Sequence, residues 1–251
     1  MKRPALLLLA LAGGLLGLAH AASGADEDTP APAPQPRYLD LRAAPRIAGN
    51  AAAGKEKSQV CSACHGEGGG GTAPPFPNLG GQRADFLYWQ LVEFKRGRHP
   101  SPMTPLVSTL DDQDMRDLAA YYASLPPHAA SAAAGDAPAE AVDTALLDRG
   151  RGLYLHGDAA RGIPPCQGCH GADARGMRDA DVADRNGRTP YAAFPVLRGQ
   201  QAAYLQGKLA EYRNGDLQDS TGDFIMSGVG QRLDEDSIQA VSAWLSSLRE
   251  D

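Results

Sequence analysis

The chain has 251 residues, rich in helix-friendly Ala, Leu, Gln and Arg and almost without β-branched runs, so it is read as all-α and long enough for two small domains. Its formal net charge of −6 excludes a nucleic-acid partner, because phosphate binding needs a basic surface. Only 6% of the residues are aromatic, which is little for an ordinary apolar core.

Lys2 and Arg3 precede an apolar run over residues 4–19, and Ala19-His20-Ala21 has small residues at both positions a signal peptidase reads. A run of about 15 residues at roughly 1.5 Å each reaches about 22 Å, short of the roughly 30 Å hydrocarbon core of a bilayer. Residues 1–21 are therefore read as a cleaved secretory signal, and the mature protein as periplasmic, soluble or peripherally membrane-associated. Residues 22–45, with Asp26, Glu27, Asp28 and alternating Pro, are read as a disordered extension. Two domains follow, over 46–125 and 143–251, joined by a low-complexity linker at 126–142.

A short helix is expected before each pair of cysteines, near 51–60 and 145–156. Residues 84–96 carry a helical stripe of Phe86, Leu87, Leu91 and Phe94, ended by Gly97. Residues 112–125 carry Met115, Leu118, Ala119 and Tyr122 at helical spacing behind an acidic start, and 235–248 match them. An internal repeat supports the two domains. Residues 77–97 align without a gap with 195–215, sharing Pro, Leu, Gly-Gln, Ala, Glu and Gly; 103–125 align with 226–248, setting Tyr121 against Trp244. Those two aromatics are expected to pack the last helix of each domain on its first, near Gly54 and near Gly150 or Gly152.

The four cysteines make two CxxCH motifs, Cys61-Ser-Ala-Cys64-His65 and Cys166-Gln-Gly-Cys169-His170. In such a motif the two sulfurs bond covalently to haem vinyl groups and the adjacent His supplies an axial nitrogen to iron. A zinc site would want its CxxC pairs roughly 15–20 residues apart, and about a hundred separate these; a thioredoxin-like pair would want a βαβ context. Two covalently bound haem c groups are therefore expected, and they supply the apolar mass the composition lacks.

An electron carrier keeps its iron six-coordinate, and a thioether ligand raises its potential. Met103 and Met226 hold equivalent places in the repeat, in stretches without apolar periodicity, and are read as ligand-bearing loops. Met115 falls on a helix stripe and is read as core; Met177 has no counterpart. His99 and His156 also lack counterparts and are read as solvated or structural. The second ring nitrogen of each motif histidine needs a backbone carbonyl, for which Pro74, Pro75 and Pro190 are candidates.

These residues resemble the dihaem cytochrome c4 family over nearly all of 46–251. The likeness is carried by 54–66 with its CxxCH, Pro77-x-Leu-x-Gly-Gln82, Met103-Thr-Pro105, 157–164, 166–171 and Met226 with the helix after it. The resemblance implies two tandem class I cytochrome c domains face to face, each wrapped round its haem, with axial roles for His65, Met103, His170 and Met226. It also implies periplasmic electron transfer and no enzyme activity, between a quinol–cytochrome c oxidoreductase-type donor and a terminal oxidase or reductase. A haem subunit of a dehydrogenase or reductase complex, or a small thiosulfate-oxidising dihaem enzyme, are the alternatives. The second domain departs by inserts of 13 and 5 residues, the first of mixed charge and read as a solvated loop or docking surface.

Overall fold

Side-chain caps set where most of the long helices begin. Asn50 accepts from the amides of Ala52 and Ala53 to start α1 (Ala51–Lys57), and Ser58 ends α1 and begins α2 (Gln59–His65). The computed structural model describes residues 38–42, 44–128 and 143–249. The expected signal segment, most of the extension and residues 129–142 of the expected linker lie outside them. The first copy continues with α3 (Ala84–Arg96), α4 (Met103–Val107) and α5 (Asp112–Ser124), the last started by a reciprocal Asp111–Asp114 capping box. The second copy runs through α6 (Thr144–His156), α7 (Gln167–His170), α8 (Ala202–Asn214), α9 (Thr221–Gly230) and α10 (Glu235–Ser247). Among the described residues there are two isolated β-bridges and no strand.

The striped helices form as expected, with Gly97 in the left-handed conformation closing α3. Three expectations change. The helix near 51–60 breaks at Ser58, so the first CxxCH sits inside a second short helix rather than after one long one. Met103 and Met226 lie on α4 and α9, not in loops. Pro102 begins α4, and a Ser220–Asp223 capping box begins α9, so end signals there outweigh weak periodicity. The extension also gains structure at its end: Leu39 donates to Asp219 O and accepts from the Thr221 amide, both at 2.9 Å.

In each copy the last helix crosses the first, α5 on α1 and α10 on α6. The crossing needs glycine. A Cβ on Gly54 would lie 2.0 Å from Asp117 O, and one on Gly150 2.0 Å from Ala240 O, whereas Gly152 faces open space. Of the two expected partners for Trp244, Gly150 is the one that meets it. Leu87, Met115 and Leu118 belong to one core cluster; Tyr154, Leu205 and Val241 belong to another. The core placement of Met115 holds.

The two copies share one compact unit with a polar seam. Asp181, in the first insert, pairs with Arg46 at 2.8 Å and with Arg83, and Arg83 Nε donates to Ala192 O at 2.9 Å. Instead of remaining a solvated loop, that insert docks on the first copy. His99 lies 3.4 Å from Asp219 of the second copy and so has a structural place, while His156 is exposed at the end of α6.

Candidate functional site

Each CxxCH opens onto its own cavity. The first, about 370 Å³, is lined by Cys61, Cys64, His65, Pro77 and Met103 among others. The second, about 190 Å³, is lined by Cys166, Cys169, His170, Pro195 and Met226. Helix geometry explains how the motif does this. One turn carries both sulfurs along one side, and the chain must then turn away at once. Gly66 (φ +70°) and Gly171 (φ +77°) supply that turn, in a conformation that L side chains rarely adopt.

Both motif histidines are buried, and each ring is fixed by one carbonyl. His65 Nδ1 lies 3.0 Å from Pro77 O and His170 Nδ1 lies 3.1 Å from Pro195 O. A carbonyl can only accept, so the proton sits on Nδ1 and the Nε2 lone pair is left for a metal. Burial pushes both imidazoles below their ordinary value, against the opposing effect of these carbonyls, so each ring is neutral near pH 7. The candidates Pro74, Pro75 and Pro190 are thereby replaced. The signal was present in the repeat, where Pro77 and Pro195 occupy the same position.

Cys61, Cys166 and Cys169 behave as apolar thiols. Burial raises Cys61 and Cys169 and pushes Cys166 up to about 11. Such thiols are unlike the low-pKa thiolate of a redox CxxC. Among the described residues no three His, Cys, Asp or Glu side chains gather as a metal-binding cluster, which disfavours the zinc alternative. Two thiols, a neutral imidazole with a free Nε2 and a thioether on the walls of one apolar cavity fit haem c, and they do so twice. Met177 does not line either cavity.

Comparison with known proteins agrees with this geometry. The family profile for cytochrome c matches residues 51–126 and 148–249. Cytochrome c4 of Azotobacter vinelandii is 33% identical over 254 residues, covering 97% of this chain and 98% of that one. A thiosulfate dehydrogenase electron acceptor of Thiomonas intermedia is 32% identical, covering 78% of this chain and 82% of its own. The crystal structure of reduced recombinant cytochrome c4 from Pseudomonas stutzeri superposes with a TM-score of 0.66 at 34% identity, covering 80% of this chain and all of that one. With two such domains and both motifs intact, the chain belongs to the dihaem cytochrome c4 family, an electron carrier with two covalently bound haem c groups.

Proposed function

We propose that Cys61 and Cys64 hold one haem by thioether bonds between His65 and Met103, that Cys166 and Cys169 hold the other between His170 and Met226, and that the protein shuttles electrons in the periplasm. The observation that carries this reading is the repeated one: in each copy a carbonyl-fixed neutral histidine and a methionine from a different helix line the cavity the cysteines enter. When bound, each haem supplies a one-electron iron couple. The chain's own residues do the rest. The cysteine sulfurs would anchor the ring, the Pro77 and Pro195 carbonyls orient the imidazoles, and Met103 and Met226 would supply the remaining protein ligand to each iron.

Export by residues 1–21 places the carrier with periplasmic partners, and among the described residues no helix is long and apolar enough to cross a membrane. The acidic balance of the chain favours partners with a basic docking patch, by steering that weakens with salt. A quinol–cytochrome c oxidoreductase-type donor and a terminal oxidase or reductase fit that role. The relationship to a thiosulfate dehydrogenase electron acceptor favours a second donor, a thiosulfate-oxidising enzyme. The oxidised spectrum tests the ligand assignment: the weak near-infrared His/Met band should report two haems, and half that intensity with rapid cyanide binding overturns it. Stopped-flow reduction by each donor class then separates the partners.

A further inference from the structure

The repeated Gly-Gln of the two copies does work that the carrier reading leaves unexplained. Gln82 and Gln200 are equivalent in the repeat, both are buried, and each crosses to the other copy. Gln200 Oε1 accepts from the Asn78 amide at 2.8 Å, and its Nε2 donates to Asn78 O at 2.9 Å. Gln82 Oε1 accepts from the Val196 amide at 2.8 Å, and its Nε2 donates to Val196 O at 2.9 Å. Asn78 and Val196 are themselves equivalent, so the seam has a local two-fold symmetry in which each glutamine clasps the main chain of the other copy.

The amide of Asn78 belongs to the same peptide group as the carbonyl of Pro77, and that of Val196 to the same group as the carbonyl of Pro195. A single chain of hydrogen bonds therefore runs from His65 Nδ1–H through the 77–78 peptide to Gln200. Its mirror runs from His170 Nδ1–H through the 195–196 peptide to Gln82. Accepting the amide proton at one end of a peptide makes its carbonyl oxygen a stronger acceptor at the other. A stronger acceptor draws the imidazole proton further and makes the ring a better donor to iron, which favours the oxidised state.

We infer that Gln200 and Gln82 are crossed positioning residues, each tuning the axial histidine, and so the potential, of the haem in the opposite domain. The inference rests on the axial roles proposed for His65 and His170. It gives the domain seam a redox function besides a packing one, because any partner that shifts one domain against the other alters both ligands.

The test uses the holoprotein and the variants Gln200→Leu and Gln82→Leu, with the potential of each haem assigned by NMR and the ring Nδ1–H resonance of each histidine followed in the reduced state. Gln200→Leu should raise the potential of the first haem and move the His65 resonance, with His170 in place and a smaller change at the second haem, whose cavity wall Gln200 joins. Gln82→Leu should do the converse. The expected change is about threefold in the reduction equilibrium, roughly 30 mV at 59 mV per tenfold for one electron. Gln201→Leu is the control, since Gln201 also crosses the seam, to Gly71 O at 3.5 Å, without touching either peptide; it should move neither potential. Should the leucine variants fail to hold two haems, Gln200→Glu and Gln82→Glu keep the accepting oxygen and should lower the opposite potential. A change confined to the variant's own domain, equal in both, or absent from both overturns the inference. A wild-type spectrum without two His/Met haems overturns instead the ligand assignment beneath it.

Discussion

Gly54 and Tyr121 meet where α1 crosses α5, so closely that a Cβ on the glycine would come within 2.8 Å of the tyrosine Cβ. Gly150 and Trp244 repeat that contact at the same distance where α6 crosses α10. Both helix pairs frame a CxxCH, so separation at the crossing also loosens the haem pocket. Gly54→Ala and Gly150→Ala should each cost about 3 kcal/mol or more, through overpacking against main chain that cannot move aside. Gly152→Ala, in open space on α6, should gain up to about 1 kcal/mol from helix propensity. Guanidinium unfolding followed by haem absorbance reads all three, and matching midpoints for Gly150→Ala and Gly152→Ala would contradict the crossing.

The methionines give a sharper test of the site. Met103→Ala and Met226→Ala should each remove half of the near-infrared band, lower the potential of one haem and open that iron to cyanide. Met115→Leu, in the core and on no cavity wall, should leave both bands intact and cost less than about 1.5 kcal/mol. Absorption spectra of the three variants with and without cyanide decide it, and an intact band in Met226→Ala would remove that residue from the site.

The helices and the haem chemistry were legible because both depend on short-range patterns. The stripe Phe86, Leu87, Leu91 and Phe94 with Gly97 behind it gave α3 its observed ends, and CxxCH is complete within five residues. What escaped the sequence is long-range. The amide groups of Gln82 and Gln200 are polar side chains at the edge of a helix, and nothing local says that their partners lie more than a hundred residues away. Asp181 looked like one charge in a mixed-charge loop until Arg46 and Arg83 were placed beside it. Pro77 and Pro195, whose carbonyls hold the two histidines, are marked by their equivalent places in the repeat and by no local pattern that sets them apart from Pro74, Pro75 and Pro190.

Acid should weaken the first domain through Asp117. Its carboxylate accepts from Lys57, from the Asn50 amide and from Gln113, and these bonds pull it down to about 2. The folded value lies below the unfolded one, so the stabilisation is fully present above about pH 4 and is lost as pH falls toward 2. The equivalent residue of the second domain is Ala240, which has no such bond to lose. Asp117→Asn should be less stable than wild type at pH 6 and should show a shallower decline between pH 4 and 2. Denaturant midpoints across that range check the sign, and parallel curves for variant and wild type would exclude Asp117 as the cause.

The described end of the extension meets the start of the helix that carries Met226. Leu39 is bonded to Asp219 and Thr221, Leu41 N donates to Thr221 Oγ1 at 3.1 Å, and Leu41 also lines the second cavity. These contacts fall on Asp219, just before the N-cap, and on Thr221, the first residue of α9, the helix that carries Met226. Three hydrogen bonds at about 0.5–1.5 kcal/mol each are enough to set how often that helix opens locally. A mature chain shortened to begin at residue 43 should therefore keep both His/Met bands at rest but exchange Met226 for cyanide faster. Losing about 1.4 kcal/mol would give a tenfold gain in rate where opening limits binding. Residues 38–41 are not among the described residues that line the first cavity, so the Met103 site should be unchanged and cyanide binding by stopped flow should show one accelerated phase beside one unaltered phase. Two unaltered phases would mean that residues 38–42 add nothing to α9, and two accelerated phases would mean that they stabilise the whole unit rather than the second site.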